Sequence, residues 1–511
     1  MTGKAKLASG WTAAVALLLL LGGCEVGPDF KHPAPPDVSG YTKEPLPART
    51  AATPGHGGEA QRFVQGLDIP GQWWALFHSE PLNRLVEEAL RHNPDLDAAR
   101  ASLRAANENV YAGQGGLFPT VGANAQAERE RISGAEFGEP NVSGIFSLVT
   151  AGANISYNPD VFGGVRRQVE QLEAQAEYQR FQLEAAYLTL SSNVVVAAVQ
   201  EASLRAQIAA TEDIIKLESD QLTVVQHQFT LGAVPKSDVL TQQATLLATE
   251  ATLPPLQKQL AQTRNQLTAL AGRFPSQEID ATFDLDHLTL PGELPVSLPS
   301  SLVAQRPDVL AADATLHAAS ANIGVAIANE LPQFSITGQA GTTALGFSNL
   351  FSPASAVWSI AGSVAQTVFD GGTLLHKRRA AEAEFAQAAA QYRSTVIKAF
   401  QNVADALRAL QFDARQQQAQ ATAERTALDS LNLARQQFQF GAITYLTLLD
   451  AQRTYQQAHI NLVQAEANRY ADTAALFQAV GGGWWHRSDV TPDTKGSPDR
   501  TWLPLPSADA H

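Results

Sequence analysis

Sulfur is almost absent from this chain of 511 residues, which has one cysteine, Cys24, and one methionine, Met1. A single cysteine excludes a disulfide within the chain. The lack of internal methionine argues against a thioether-lined path for soft metal ions. The eleven histidines are scattered along the sequence, and no pair of them has metal-ligand spacing. We therefore predict no bound metal.

Signatures of catalysis and of nucleic-acid binding are also missing. There is no G-x-S-x-G motif, and the glycine-rich stretch at residues 113–116 lacks the lysine of a phosphate-binding loop. The formal net charge is -14 and no basic stripe is present, which argues against a nucleic-acid partner. No run of 18 apolar residues follows the N-terminal segment, so only a β-barrel would let the mature chain cross a membrane. From these absences we predict that the protein is not an enzyme and binds no cofactor.

The cysteine lies at the end of a segment typical of exported proteins. Two lysines precede an apolar run, Trp11–Leu21, which has the length of a signal-peptide core and is too short to span a bilayer. The motif GGC that follows resembles a bacterial lipobox, in which the cysteine becomes the lipidated first residue. By the same resemblance, Glu25 in the next position implies sorting to the outer membrane. We predict a signal peptide over residues 1–23 and a covalent lipid on Cys24.

Internal duplication is the clearest organisational feature of the chain. The stretch NPDLDAARASL returns as RPDVLAADATL, and QFTLGA returns as QFQFGA. The spacing is preserved too, because Phe229 and Gly272 are 43 positions apart, as are Phe438 and Gly481. Two copies of one large unit are therefore expected.

Each copy contains a helix too long for an ordinary globular domain. Residues 165–231 and 373–440 contain neither glycine nor proline, and at ~1.5 Å per residue each run approaches about 100 Å as a helix. Alanine, glutamine, glutamate and leucine, which favour helices, are abundant in both runs. A glycine-centred turn follows each run, at Gly232 and at Gly441, so two long helical hairpins are predicted.

Four shorter segments alternate with period two. In residues 149–158, valine, alanine, isoleucine and tyrosine occupy one set of alternate positions, while threonine, glycine, asparagine and serine occupy the other. Segments near Val121, Phe334 and Trp358 repeat the alternation. One apolar and one small polar face is typical of a membrane-barrel strand. A half-buried sheet on a soluble core gives the same pattern in one segment, but four segments in pairs favour the membrane strand.

Four strands cannot close a barrel alone, because single-chain barrels begin at about eight strands. An open edge in lipid would leave backbone groups unpaired at a cost of several kcal/mol each. The chain is therefore expected to oligomerise if these strands span a membrane. Two copies would supply eight strands and three copies twelve, and strand count alone does not choose between them.

Four motifs occur in chain order from Cys24 to about Trp485: CEVGPDFKHPAPP, QWWALFHSEPLNRLVEEALRHNPDL, FGAITYLTLLDAQRTY and AVGGGWW. Together they resemble the NodT-type outer-membrane factor lipoproteins of tripartite efflux systems, in the TolC-like outer membrane efflux family. The resemblance implies a mainly α fold with a membrane β part. In it, four strands per chain complete a twelve-stranded β-barrel in a homotrimer, and a long α-helical periplasmic tunnel continues the barrel. The implied partners are a periplasmic adaptor and an inner-membrane pump of the resistance-nodulation-division type.

Duplication and resemblance together divide the mature chain into four parts. These are a lipidated proline-rich linker and equatorial segment (24–80), a first repeat (81–305), a second repeat (306–481) and a C-terminal tail (482–511). Barrel strands are expected at about 119–131, 146–158, 333–344 and 356–369, outward loops at 132–144 and 345–355, and hairpins at about 165–272 and 373–480.

The two returning helices should differ. Pro254 and Pro255 are expected to interrupt the first while its counterpart stays intact. The segment around 254–305 should then join the linker and the tail in a belt around the tunnel. The tryptophan pairs at 73–74 and 484–485 are expected to pack within that belt.

In the family that the chain resembles, the hairpin tips meet the adaptor. The resemblance assigns this contact to four residues: Gly232, Ala233, Gly441 and Ala442. It assigns the periplasmic gate to Leu446, Asp450 and Arg453, whose spacings of four and three place them on one helix face. Leu446 would be an apolar plug, and Arg453 would hold Asp450 or a neighbouring helix.

In a threefold assembly Asp450 would recur as a ring of carboxylates, which favours cations. The repeat places Thr241 opposite Asp450, so only one hairpin carries this ring. The alternative is a solvated Asp–Arg pair on a coiled-coil surface.

The predicted function is a passive exit duct in the cell outer membrane, lipid-anchored and with a large periplasmic part, that carries small molecules out of the cell. Two alternatives are an outer-membrane component of a type I protein secretion system and a coiled-coil tethering lipoprotein without a pore. A tether needs no strands of period two. The exported compound is not readable from the sequence, because the pump selects it upstream of the duct.

Overall fold

The structure is a computed structural model that describes residues 25–133, 138 and 143–487. The predicted signal peptide, the predicted lipidation site Cys24 and residues 488–511 of the predicted tail lie outside them. The described residues form two compact units. Unit 1 consists of residues 25–34, 98–183 and 308–397, and unit 2 of residues 35–97, 184–307 and 398–487.

Helices make up most of the described chain. In chain order the α-helices are α1 (Glu80–His92), α2 (Pro94–Gly115), α3 (Gly164–Thr230), α4 (Lys236–Glu250), α5 (Leu253–Leu270), α6 (Pro299–Gln305), α7 (Pro307–Ala328), α8 (Thr373–Gln439) and α9 (Tyr445–Ala479). The duplication is visible in their lengths, since α2 and α7 both have 22 residues and α3 and α8 both have 67. Across residues 25–133 and 143–487, no helix combines the length and the apolar character needed to cross a membrane.

Unit 1 contains an antiparallel sheet of four strands. The strands of the described chain are β1 (Arg62–Gln65), β2 (Thr120–Ser133), β3 (Ser143–Tyr157), β4 (Glu293–Val296), β5 (Gln333–Ala344) and β6 (Ala356–Ala365). The order in the sheet is β2-β3-β5-β6, so the central pair, β3 with β5, joins one repeat to the other. The outer edges of β2 and β6 have no partner strand among the described residues.

Strand ends differ from the sequence prediction in two places. The first outward loop is shorter than residues 132–144, because Ile132 pairs with Gly144 and Ser133 with Ser143. The last strand ends at Ala365 and not near residue 369, because its partner β5 begins opposite Ala365 and offers no further backbone. The amide of Gln366 instead donates to the Glu330 carbonyl at 3.0 Å.

Each long helix ends in the same cap. Gly232 and Gly441 adopt positive φ, at 74° and 71°. The next residue, Ala233 or Ala442, donates its N–H to the carbonyl five positions earlier, at 2.9 and 2.8 Å. This is a Schellman cap, which favours glycine because other residues are strained at positive φ. The predicted turns of both hairpins are therefore confirmed.

The first returning helix is interrupted, and the second is continuous over α9. The break falls at Ala251 and Thr252, a little before the position the sequence suggested. Pro254 and Pro255 lie in the first turn of α5, where proline costs no helical hydrogen bond. Further along, β4 pairs in parallel with β1 of the linker. This short pair joins the linker to the segment around 254–305. The sequence predicted that both belong to one belt but not that they share a sheet.

An aromatic core holds unit 2 together. Trp73 is 1% exposed and stacks on Phe477, with ring centroids 5.4 Å apart. Trp484 donates its indole N–H to the Gln305 carbonyl at 2.7 Å. Both tryptophan pairs therefore contribute to the packing of unit 2.

Two half-buried carboxyl groups in unit 2 make its stability depend on pH. Burial and the neighbouring carboxyl of Asp413 raise the pKa of Asp472 to about 8. Burial, with Asp286 and Glu424, raises the pKa of Glu466 to about 7. A raised pKa means that the folded chain holds the proton more tightly. The stabilisation is therefore complete at acid pH and is lost as the pH rises through these values.

We expect the melting temperature of the purified protein to fall between about pH 5 and about pH 9, and Asp472→Asn to flatten that fall. Circular dichroism melts at each pH measure it. The exposed Asp429 provides the matched control, since Asp429→Asn should keep the wild-type slope. An Asp472→Asn protein with an unchanged slope would contradict this assignment.

Candidate functional site

One face of the four-stranded sheet is apolar. Paired residues in an antiparallel sheet project to the same side, so one row across the strands shows the character of a face. A first row consists of Val121, Ile155, Gly338 and Ile360. Val121 is 72% and Ile360 75% exposed within the protomer. Large aliphatic side chains exposed across a whole sheet indicate an apolar environment on that side.

The opposite face is small and polar. The adjacent row consists of Gly122, Asn154, Gln339 and Ser359. On the same side the hydroxyls of Ser335 and Ser363 lie 2.7 Å apart. Side chains of this kind hydrogen-bond readily to water, so the two faces of the sheet suit two different solvents.

Both hairpin tips expose an apolar side chain beside their glycine. Leu231 is 71% exposed directly before Gly232, and Phe440 is 86% exposed directly before Gly441. Behind them the tips are well packed, because Val225 of α3 lies in one apolar cluster with Tyr445 and Leu449 of α9. Each tip is therefore a packed turn that exposes one apolar side chain.

The three residues predicted as the gate lie on the exposed side of α9. Leu446 is 70% exposed, and Asp450 and Arg453 are exposed as well. Arg453 donates to the Thr245 hydroxyl of α4 at 3.2 Å. Among the ion pairs of the described chain, none joins Arg453 to Asp450. Of the two roles considered for Arg453, contact with a neighbouring helix is the one the structure contains.

A buried polar layer lies behind these residues, and no pattern in the sequence predicted it. Glu218 of α3 is 1% exposed, and Gln242 of α4 donates to its backbone carbonyl at 2.8 Å. Gln452, directly before Arg453 on α9, is 7% exposed. Burial, partly offset by Thr249 and Arg453, raises the pKa of Glu218. Glu218 looked like one of many glutamates on a long helix, and only the packing shows it to be internal.

Several oxygen atoms in this layer lack hydrogen-bond partners within the described chain. They are Glu218 Oε2, Gln242 Oε1, Gln452 Oε1 and the Tyr445 hydroxyl. A buried polar atom without a partner costs about 1–3 kcal/mol. Separating the helices would hydrate these atoms, so opening is less costly here than in an apolar core. The layer therefore suits an element that has two arrangements.

We expect Glu218→Gln to stabilise the packed form of the tip at neutral pH. The raised pKa means that protonation favours packing, so the wild-type tip should loosen as the pH rises, and the neutral amide should remove that dependence. Hydrogen exchange of α4 between about pH 5 and about pH 8, corrected for the intrinsic rate, measures it. Glu212→Gln, at an exposed position on the same helix, is the control. Equal pH dependence in Glu218→Gln and wild type would refute the prediction.

Known proteins resemble this chain over both of its repeats. A family model described as outer membrane efflux protein matches residues 85–273 and 298–482. The probable efflux pump outer membrane protein TtgC of Pseudomonas putida is 28% identical over 471 residues, covering 92% of this chain and 94% of the relative. The outer membrane protein OprJ of Pseudomonas aeruginosa is 27% identical over 475 residues, covering 92% and 95%.

The fold is also similar to that of a solved structure. The outer-membrane channel OprN is similar with a TM-score of 0.80 and 27% identity, covering 90% of this chain and all of that one. TtgC is named as an efflux pump outer membrane protein and OprN as an outer-membrane channel, and such proteins are ducts and not enzymes. The two regions matched by the family model make up most of the sequence, so the chain belongs to the outer membrane efflux protein family.

Proposed function

We propose that the chain is the passive exit duct of a tripartite efflux system, active as a homotrimer. Three copies would join β6 of each protomer to β2 of the next and close a barrel of twelve strands. The long helices would form the periplasmic tunnel. Small molecules would enter from an inner-membrane pump of the resistance-nodulation-division type through a periplasmic adaptor.

The observation that carries this proposal is the sheet of unit 1, which has two unlike faces and two edges that no other strand of the described residues pairs with. The face with Val121 and Ile360 suits lipid, and the face with Asn154 and Gln339 suits a water-filled lumen. Trp358, 79% exposed on the apolar face and close to the β5–β6 loop, suits the aromatic girdle of a membrane barrel. A tethering lipoprotein would have no use for such a sheet.

The choice of three copies rests on the family, since edge pairing alone also allows two. Light scattering of the purified mature protein in detergent, corrected for bound detergent, measures the number of chains. We expect the mass of three chains. A mass of one chain would leave both edges unpaired and contradict the proposal, and a mass of two would replace the trimer by an eight-stranded dimer.

The gate proposal uses the exposed side of α9. Asp450 would form a ring of carboxylates in the trimer, and Leu446 would narrow the passage beside it. Arg453 would hold the closed form through Thr245. The layer of buried polar oxygens around Glu218 supports the proposal. Because these oxygens lack partners in the packed tip, separating the helices to open the tip costs less free energy.

The exposed apolar tips give this duct a testable docking surface for the adaptor. We expect Leu231→Ser with Phe440→Ser to weaken adaptor binding at least about a hundredfold, because two apolar anchors of about 1.5–3 kcal/mol each are removed. Surface plasmon resonance with the purified adaptor measures it. Phe412→Ser removes another exposed aromatic from α8, 54% exposed and away from the tip, and should change nothing. Equal binding by the tip and control variants would place the adaptor elsewhere.

A further inference from the structure

The first described residues of the chain bind to a buried arginine of unit 1. Arg167 of α3 has a side chain only 4% exposed. Its guanidinium lies 3.3 Å from Glu25 and 2.8 Å from Asp29, and it donates to the Val26 carbonyl at 3.0 Å. Glu170 of the same helix supplies a third carboxylate at 2.6 Å. Arg167 therefore contacts both the backbone and the acidic side chains of the N-terminal segment.

Two glycines allow the segment to lie this close. Gly27 has φ of 101°, and a Cβ there would stand 2.4 Å from the Cα of Gly324 in α7. A Cβ on Gly324 would stand 2.7 Å from the Cγ of Arg167. Any larger residue at either position would push the segment away from the helix. The backbone of Val26 also donates to the Phe162 carbonyl, just after β3, at 3.2 Å.

The rest of the segment is held by α7. The ring of Phe30 stacks on His317, with centroids 4.4 Å apart and planes within 10°. His317 in turn lies 2.8 Å from Glu170, the carboxylate that pairs with Arg167. His32 lies 2.6 Å from Asp313. Contacts therefore extend over the whole stretch from Glu25 to His32.

The internal duplication supplies a built-in comparison. Helices α2 and α7 have equal lengths, as have α3 and α8, so each position of this site has an equivalent in the other repeat. Counted from the helix starts, Gly324 corresponds to Tyr111, and Arg167 corresponds to His376. Glu170 corresponds to Arg379. In the other repeat, Tyr111 would fill the space that Gly324 leaves open, and Arg379 would place a positive charge where Glu170 has a negative one. The equivalent place therefore does not offer the same binding site.

We propose that residues 25–32 form a clasp, a segment with a dedicated receptor site on α3 and α7, which fixes the start of the mature chain at one of the two pseudo-equivalent places. Its ligand is the chain's own acidic Glu-x-Gly-Pro-Asp-Phe segment. A lipid on Cys24 would thus enter the membrane from one defined point of the protomer. This inference does not depend on whether the trimer conducts.

The clasp also joins the two repeats. The helix α3 follows strand β3, and α7 precedes strand β5, and these are the central paired strands of the sheet. Phe162, which binds Val26, has its ring 6.3 Å from that of Phe334 in β5. Docking of the N-terminal segment therefore ties together the ends of the strand pair where one repeat meets the other.

Limited trypsin digestion of the purified full-length mature protein tests the clasp. Lys31 lies within it, and the exposed Lys43 lies in the linker beyond it as an internal reference. We expect cleavage after Lys31, relative to Lys43, to become about tenfold faster in Arg167→Gln, since charge-assisted hydrogen bonds are lost. Gly27→Ala should have the same effect without touching Arg167.

Two controls are matched to these variants. Arg166→Gln changes the neighbouring arginine, which pairs with Asp160, and Gly40→Ala changes a glycine with open space around it. Both should keep the wild-type ratio. Cys24→Ala behind a cleavable signal should also keep it, because the contacts and not the lipid give the protection. A wild-type Lys31 cleaved as fast as in Arg167→Gln, or protection lost only in Cys24→Ala, would overturn the proposal.

Discussion

Asp450→Asn is expected to lower the preference of the channel for cations roughly threefold to tenfold. In water a carboxylate acts on an ion by about 1 kcal/mol at 4 Å, and this energy falls as the distance grows. Three carboxylates around a wider passage therefore act on a passing ion by about 1 kcal/mol in total, and the amide removes all three charges. The effect should shrink as salt is added, because an exposed ring is screened. Reversal potentials of the purified protein in a planar bilayer, under a salt gradient, measure it.

Two further variants separate charge from size at this position. Asp220→Asn removes another exposed aspartate, on α3, and should leave the ion preference nearly unchanged. Asp450→Ala removes the charge and shortens the side chain, so it should raise conductance where Asp450→Asn does not. If Asp450→Asn behaves as wild type, the residue is part of a solvated surface and not of the constriction.

Arg469→Met should be the most damaging single substitution in unit 2. Arg469 lies in α9 with no exposed surface. Its guanidinium donates to five oxygen atoms, which belong to Thr50, Gly57, Glu59, Gln61 and Gln417. Without the guanidinium these buried acceptors lose their donor, at an expected cost of about 3–5 kcal/mol.

Four of those oxygens belong to the linker, so the loss should appear there first. We expect trypsin to cleave after Arg49 in Arg469→Met but not in the wild type, and the melting temperature to fall by several degrees. The exposed Arg425 of α8 is the matched control, and Arg425→Met should stay within about 0.5 kcal/mol of the wild type. An Arg469→Met protein that is not cleaved after Arg49 and melts normally would contradict this role.

Periodic features of the chain were predictable from its sequence. A run of 67 residues without glycine or proline can form little but a long helix, and both runs do so in α3 and α8. The turns at Gly232 and Gly441 follow from the chemistry of positive φ. The alternation around Val121 and Ile155 predicted the two faces of the sheet, because register in a sheet preserves the side of every residue.

Features that depend on contacts between distant segments were not predictable. Strands β1 and β4 have four residues each, too few for a period to show. Arg469 and Glu218 are single charges on long polar helices, and their burial depends on which helix packs against them. Arg167 gave no signal either, because its partners lie in a segment about 140 positions away along the chain.

Planar-bilayer recording of the purified mature protein decides whether the chain forms a water-filled passage through a membrane. We expect discrete conductance steps for the wild type and larger steps for Asp450→Ala, with Asp220→Asn equal to the wild type. Absence of steps from both the wild type and Asp450→Ala, in preparations whose mass shows correct assembly, would contradict that expectation.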